Sequence, residues 1–185
     1  HSFFSHILNS FKHRAEELGY DISFISDHMG GQEISYVDHA RYRNCDGVVI
    51  ASVDYTEHAV VDLANSGIPV VNFDVDVDCQ GIYKVTGDNY DMGYQSAKYI
   101  TEKVGPAANI VVMDVPSSGS VCELRKQGFY DYLKEVGYDE SNIFEVQLES
   151  FARDKGLAGM ADVLEAHPQI DAVFSMDDET SMGAI

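Results

Sequence analysis

The chain has 185 residues, a length that suits one large domain or two small ones, and its 45% apolar content supports a buried core. Its 31 acidic residues far exceed its 12 basic residues, so the formal charge of −19 repels nucleic acid and anionic membrane surfaces. This acidity either keeps the protein soluble or attracts a cation or an amine.

Cysteine spacing and hydropathy argue against a disulfide-rich protein and against a membrane-spanning one. The three cysteines, Cys45, Cys79 and Cys122, are widely spaced and form neither a disulfide framework nor a Cys-x-x-Cys pair. No run is apolar enough for a transmembrane helix, so we expect no direct membrane insertion. The N-terminus shows no signal peptide and therefore does not report localisation.

Apolar periodicity predicts alternating helices and strands in the first half of the chain. Helices are expected over 3–18, 32–43 and 56–66, and strands over 22–25, 47–51, 67–74 and 82–86. The strand over 47–51 is a continuous apolar run, as expected for a strand covered on both faces. The strand over 67–74 follows a Gly-x-Pro break and ends in Asp74, and ligands of open parallel sheets lie outside such carboxyl ends.

The pattern restarts after Gly87-Asp88-Asn89. Helices are expected over 91–104, 120–136 and 153–166 and from Glu179 onward, and strands over 110–115, 143–148 and 172–175. Alternation of this kind is typical of right-handed β-α-β units and a parallel sheet. We therefore predict an α/β fold of two doubly wound lobes, an N-terminal lobe over 1–87 and a C-terminal lobe over 88–185.

The two ends of the sequence differ from those of a complete doubly wound protein. The chain starts on a helix with no preceding strand and stops inside a helix. Since a doubly wound sheet normally begins with a central strand, we expect the sequence to lack the first strand and the C-terminal part of its fold.

Motifs for catalysis, cofactors and metals are absent from the sequence. There is no P-loop, no dinucleotide fingerprint and no nucleophile elbow. The run over 74–78 resembles the start of a calcium loop, but Cys79 and Val85 stand where such a loop needs Gly and Glu. The sequence thus predicts no catalytic residue, no cofactor and no metal, which disfavours an enzyme of flavodoxin-like architecture.

Acidic and aromatic side chains follow the predicted strands of both lobes. They are Asp74, Glu123, Phe151 and Asp177. Carboxylates accept paired hydrogen bonds from vicinal hydroxyls, and aromatic faces cover the C–H face of a sugar ring. Phe3 and Phe4 open the first helix and cannot both face the core, so one of them could cover a ligand. This set of residues suits a small polyol.

The same segments give the chain a resemblance to the sugar-binding proteins of the type I periplasmic-binding fold, the ribose-binding-protein family. Lactose-repressor-type regulators share that fold in their ligand domains. The segments that carry the resemblance are Phe3-Phe4, 15–20, 67–74, Gly87-Asp88-Asn89 with Gly93, 125–129, 167–174, 177–179 and Gly183-Ala184. Together they span nearly the whole chain in family order.

The resemblance implies two lobes hinged around a buried sugar, with one chain crossing near Gly87-Asp88. By position, it implies that Phe3, Phe4 and Phe151 sandwich the ring. It also implies that Asp74 and Asp177 bind hydroxyls, with a further strand-end contribution from Ser52.

Three positions depart from the family pattern and change the charge of the pocket. The family commonly has Asp-Arg at Asp74-Val75, Arg at Glu123 and Asn-Asp at Asp177-Asp178. Two cations are lost and two anions are gained. Because an unpaired carboxylate is costly in a dry cleft, we hypothesise a ligand with an amine, such as an amino sugar or an amino-cyclitol.

The leading prediction is a solute-binding protein of a bacterial ABC transporter, located outside the cytoplasmic membrane and delivering a sugar-like solute to a permease. The alternative is the cytoplasmic effector domain of a lactose-repressor-type regulator. The segment over 43–50 and the three thiols favour the regulator, whereas 105–108 and His167-Pro168 favour the transporter. No nucleic acid is expected to bind this segment in either case.

Overall fold

The structure, a computed structural model, describes residues 2–51, 57–74, 79–115 and 119–185. These residues divide into two compact units. The first unit comprises 2–50, 57–71 and 79–83, and the second comprises 51, 72–74, 84–115 and 119–185. The lobe boundary expected at Gly87-Asp88 stays a prediction.

The first unit contains most of the N-terminal elements. They are α1 (Ser2–Glu17), β1 (His28–Met29), β2 (Gln32–Glu33), α2 (Tyr36–Tyr42), β3 (Val48–Ile50) and α3 (Glu57–Asn65). β4 (Val70–Phe73) and β5 (Ile82–Val85) follow, and the division between the units falls within each of these two strands. The three strands form one sheet in the order β3-β4-β5, and its core cluster is Ala40, Val48, Leu63 and Val70.

The predicted strand over 22–25 is wrong, and the helix predicted from residue 32 begins later. Residues 21–26 have no regular secondary structure, and Phe24 is 76% exposed. Gly30 and Gly31 both have positive φ, at 61° and 81°, and they turn the chain into the two-residue hairpin β1-β2. α2 starts only at Tyr36, after Ser35, whose hydroxyl caps the helix by accepting from the Asp38 amide at 3.0 Å.

The second unit is built around one parallel sheet. Its elements are α4 (Asn89–Val104), β6 (Ile110–Asp114), α5 (Ser120–Glu135), a 3-10 turn (Glu140–Asn142), β7 (Ile143–Gln147), α6 (Arg153–Ala166), β8 (Ala172–Ser175) and α7 (Asp178–Ala184). The strand order is β7-β6-β8, with Ile110 of β6 in register with Ile143 on one side and Ala172 on the other.

Helices cover both faces of β6. Successive side chains of a strand point to opposite faces, so Ile110 and Val112 pack in one cluster with Phe129 of α5. Val111 and Met113 pack in a second cluster with Met160 of α6. This arrangement confirms the predicted α/β class with a doubly wound parallel sheet. None of the described helices is both long and apolar enough to cross a bilayer.

Glycines set the helix crossings on the two faces of this sheet. A Cβ on Gly93 of α4 would overlap the carbonyl oxygen of Arg125, and one on Gly128 of α5 would overlap that of Tyr90. The crossing of α6 and α7 repeats the arrangement, with Gly156 against Thr180 and Gly183 against Arg153. Each helix pair therefore packs backbone against backbone.

Candidate ligand-binding site

The predicted site residues fall in different parts of the chain. Phe4 lies in α1 of the first unit and is 40% exposed. The Phe3 side chain and Ser52 lie outside the described part of the chain. The remaining predicted residues, Asp74, Glu123, Phe151 and Asp177, belong to the second unit.

Asp74 lies at the carboxyl end of β4, where the sequence predicted a ligand-binding group. Its φ of 55° is in the left-handed region, which few residues other than glycine adopt, and its amide donates to the carbonyl of Val85 at 2.9 Å. Burial raises the pKa of the Asp74 carboxyl above its usual range, while the charge of Arg125 and a hydrogen bond with Thr86 lower it. A carboxylate held in this way suits recognition of hydroxyl groups.

Three residues link Asp74 to other strand ends of the second unit. Asn89 is 3% exposed, and its side-chain amide donates to the hydroxyl of Thr86 and to the carbonyl of Gly87, both at 3.1 Å. Nε of Arg125 donates to Oδ1 of Asn89 at 2.9 Å. Nη1 of Arg125 donates to the carbonyl of Met176, next to Asp177, at 2.5 Å. One connected network therefore joins the end of β4 to the residue that precedes Asp177.

Asp177, which the sequence predicts to bind ligand hydroxyls, caps a helix in the structure. Its two carboxylate oxygens accept from the amides of Glu179 and Thr180 at 3.1 and 3.2 Å, which caps α7. Each carboxylate oxygen has two acceptor sites, so a capping carboxylate can also accept from a ligand. This cap was not among the sequence-based predictions, although an Asp followed by Asp-Glu before a helix is a recognisable signal.

Glu123 and Phe151 complete the predicted set in the second unit. Glu123 is exposed in the first turn of α5, two residues before Arg125. Phe151 is half-buried in the segment between β7 and α6, and it packs against the core clusters on both faces of the sheet. Phe151 thus lies at the rim of the sheet, as expected for a group that follows a strand.

Arg125, Thr86 and Asn89 were not among the predicted site residues. The segments containing Arg125 and Asn89 carry the family resemblance, but neither residue shows by spacing that it meets Asp74. The available signals in the sequence were an Arg in the predicted helix over 120–136 and an Asn directly after Gly87-Asp88. Arg125 also changes the expected charge balance, because it puts a cation near Asp74 where the sequence suggested a surplus of carboxylates.

Comparison with known proteins gives consistent matches over the whole chain. A family model described as a periplasmic binding protein domain matches residues 1–185. A ribose import binding protein of Bacillus subtilis is 27% identical over 188 residues, which cover 99% of this chain and 60% of that protein.

Two solved structures show the same fold. An ABC transporter periplasmic solute binding protein of Actinobacillus succinogenes with bound D-allose matches with a TM-score of 0.79 and 20% identity, covering 100% of this chain and 67% of that one. A LacI family transcriptional regulator of Enterococcus faecium with bound ribose also has a TM-score of 0.79, with 19% identity and coverage of 100% and 66%. At these identities the likeness is one of fold. The chain spans between 56% and 63% of the length of the curated relatives that it matches.

Proposed function

Because the chain belongs to the family of periplasmic binding protein domains, we propose that it binds a small sugar, amino sugar or polyol for a bacterial ABC importer. It acts as the solute-binding protein and performs no catalytic step. The observation that carries this role is the Asp74 carboxylate, which is half-buried at the end of β4 beside Thr86 and Arg125. A desolvated carboxylate with fixed neighbours accepts hydrogen bonds from vicinal hydroxyls with a defined geometry.

Aromatic side chains are proposed to cover the ring of the ligand. Phe151 is half-buried at the rim of the sheet of the second unit, and Phe4 is 40% exposed in the first unit. Phe3 and Ser52 are kept in the proposed set from the family resemblance alone. Hinge closure on the ligand belongs to the same proposal, as is usual for two-lobed binding proteins.

The names of the relatives support the transport role. Relatives of the chain include import binding proteins for ribose and D-apiose, at 27% and 26% identity. We therefore propose an ABC permease as partner and a location outside the cytoplasmic membrane.

The charge of the ligand depends on how far Arg125 neutralises the carboxylates. Arg125 supplies a cation close to Asp74, which weakens the reason for a ligand with an amine. Glu123 and Asp178 are exposed carboxylic residues, and we propose that an amino sugar would contact them. Both ligand classes are therefore included in the test.

A regulator of the lactose-repressor type is the second candidate function. It is supported by the Enterococcus faecium regulator, which matches the fold as well as the Actinobacillus succinogenes binding protein does. The sequence directly upstream in the gene separates the two: a helix-turn-helix supports the regulator, and a signal peptide or lipobox supports the transporter.

Titration calorimetry on the full-length protein tests the binding role. The panel contains D-ribose, D-allose and D-apiose together with 2-amino-2-deoxy sugars. We expect saturable binding of at least one member, and about tenfold or greater weakening in Asp74→Asn, since a lost hydrogen bond to a charged group costs about 1.5–3 kcal/mol. Phe151→Ala should also weaken binding, and Phe24→Ala, at a position 76% exposed, serves as its control. Absence of binding across the panel would refute the proposed solute class.

A further inference from the structure

Two serine hydroxyls converge on the backbone carbonyl of Asp177. Ser175 is the last residue of β8, and Ser181 lies in α7, four residues after Asp177. Oγ of Ser175 donates to the carbonyl oxygen of Asp177 at 2.7 Å, and Oγ of Ser181 donates to the same oxygen at 3.1 Å. The two hydroxyl oxygens are 2.5 Å apart, so they form a closed triangle with that carbonyl. We refer to Ser175 and Ser181 together as the serine pair.

The serine pair supplies hydrogen bonds that the backbone of α7 makes only weakly. The carbonyl of an N-cap residue accepts the first intrahelical bond, here from the Ser181 amide. That amide nitrogen is 3.3 Å from the Asp177 oxygen, longer than the usual range of about 2.7–3.2 Å. Both hydroxyls approach more closely than the amide does. The direction of the Asp177 carbonyl therefore depends mainly on the two side chains.

Hydrogen bonds hold Asp177 on its backbone side and on its carboxylate side. The serine pair holds the carbonyl, while the two carboxylate oxygens accept the amides of Glu179 and Thr180. Each carboxylate oxygen retains a second acceptor site, which is available to a solute hydroxyl. A group that is already oriented loses less conformational entropy when it binds. Fixing the carbonyl thus favours binding at the carboxylate.

The number of hydroxyl protons makes the two serines partly redundant. Each serine has one hydroxyl proton, and the Asp177 carbonyl has none. While Ser175 donates to the carbonyl, the proton of Ser181 can go to the same oxygen or to Ser175. If one hydroxyl is removed, the other can still donate to the carbonyl. Loss of both should therefore have a larger effect than the two single losses combined.

We propose that Ser175 and Ser181 are positioning residues for solute binding, which fix the Asp177 carbonyl and thereby hold its carboxylate in the direction that receives the solute hydroxyls. This role rests on the proposed function for the identity of the solute. The serine pair acts through Asp177 and needs no contact with the solute itself.

Five variants test this role by removing or retaining individual hydroxyls. Three of them are Ser175→Ala, Ser181→Ala and the double alanine variant. The fourth combines Ser175→Ala with Ser181→Thr, which retains one hydroxyl that can bond a carbonyl four residues earlier in a helix. Ser96→Ala is the matched control, because Ser96 of α4 also donates to a carbonyl four residues earlier, that of Met92, at 2.7 Å.

The first experiment measures amide hydrogen exchange of Glu179 and Thr180 by NMR in the ligand-free protein. These are the amides that the Asp177 carboxylate accepts. We expect exchange about fivefold faster in the double alanine variant and about twofold or less in each single variant. Exchange should be unchanged in Ser96→Ala. Wild-type exchange at both amides in the double alanine variant would overturn the proposal.

The second experiment measures calorimetric affinity for D-ribose and D-allose in the same variants. We expect the double alanine variant to bind about tenfold more weakly than the wild type, and Ser175→Ala with Ser181→Thr to recover most of that loss. If the double alanine variant binds as the wild type does, the serine pair has a structural role only, whatever its melting temperature, and the proposal fails. If that variant does not fold, wild-type affinity and exchange in both single variants would overturn the proposal.

The two experiments separate this proposal from the proposed function. If neither sugar binds the wild type but exchange accelerates in the double alanine variant, the serine pair positions Asp177 and the solute class is wrong. If a sugar binds the wild type but neither exchange nor affinity changes in the variants, the solute class stands and the serine pair has no positioning role.

Discussion

A Cβ on Gly93 would overlap the carbonyl oxygen of Arg125, so α4 and α5 pack closely at a residue of the hydrogen-bond network in the candidate site. Gly128 meets the carbonyl of Tyr90 at the same crossing. The helix packing that supports the core therefore also sets the position of Arg125 and Asn89.

Gly93→Ala should destabilise the protein by about 1–3 kcal/mol, because the added methyl group forces two helix backbones apart. Urea unfolding followed by circular dichroism measures the loss. Lys98→Ala, an exposed substitution on the same helix, should change the free energy of unfolding by less than about 0.5 kcal/mol. Equal effects of the two substitutions would contradict close packing at Gly93.

Gly156→Ala and Gly183→Ala should be non-additive, because both methyl groups separate the same pair of helices, α6 and α7. Once one methyl group has moved the helices apart, the second meets less resistance, and the double variant loses less stability than the two single losses combined. Gly93→Ala with Gly156→Ala should be additive, because these crossings lie on opposite faces of the sheet. Additive losses in the first pair would show that the helices do not move as units.

Phe129→Ala should cost about 3–5 kcal/mol, the usual loss for a large core aromatic. Phe129 is fully buried and stacks on Phe174 with ring centroids 4.1 Å apart and planes 4° from parallel. Tyr99→Ala removes a ring that is 63% exposed and should cost far less. Thermal unfolding of both variants measures the two losses in the free energy of unfolding. A loss below about 1 kcal/mol for Phe129→Ala would contradict the packing of this ring in the core.

Asp74→Asn should raise the melting temperature slightly near neutral pH while it weakens ligand binding. Burial raises the pKa of Asp74, so between the unfolded and folded pKa values the folded state holds the extra proton. The contribution of this group to stability therefore falls as the pH rises through that window. Asn removes the buried charge and tolerates a positive φ.

Asp162→Asn, at an exposed position of α6, is the control for removal of one negative charge. Differential scanning calorimetry at neutral pH measures the melting temperatures of Asp74→Asn and Asp162→Asn. A melting temperature several degrees lower for Asp74→Asn alone would mean that the carboxylate stabilises the fold, contrary to the direction of its pKa.

Tyr130→Phe should lower stability by no more than about 1 kcal/mol at neutral pH, and the difference from the wild type should shrink in acid. The hydroxyl of Tyr130 donates to Glu145 at 2.6 Å, and this bond, with Lys126, holds the pKa of Glu145 below its usual range. Because the pKa of Glu145 is lower in the folded state, this carboxylate stabilises the fold at pH values above its unfolded pKa of about 4.3. That stabilisation is lost as the pH falls through the folded pKa.

Urea midpoints of the Tyr130→Phe variant and the wild type, measured from pH 7 down to about pH 3, follow that difference. Tyr99→Phe, at an exposed position of α4, should show no pH-dependent difference. If the urea midpoints of Tyr130→Phe and the wild type differ by the same amount at every pH, the effect of the substitution comes from packing and not from Glu145.

Local features of the sequence predicted much of the second unit. The helices over 91–104, 120–136 and 153–166 and the strands between them agree with the observed elements to within about two residues at each end. Apolar runs and glycine stops are local properties, so they can be recognised without knowing the neighbours. The hairpin at Gly30-Gly31 was also a local signal, and it was missed because Gln32 and Glu33 were assigned to the start of a helix.

Local patterns in the sequence are enough to establish the α/β class, the order of elements in the second unit and the acidic residues that follow its strands. The folded chain adds three facts that those patterns do not contain: β6 lies between β7 and β8, Asp177 caps α7, and Arg125 reaches Asn89 and Met176. The reason is geometric. Contacts between residues dozens of positions apart depend on how closely two helices cross, and here Gly93 and Gly128 allow the backbones to touch.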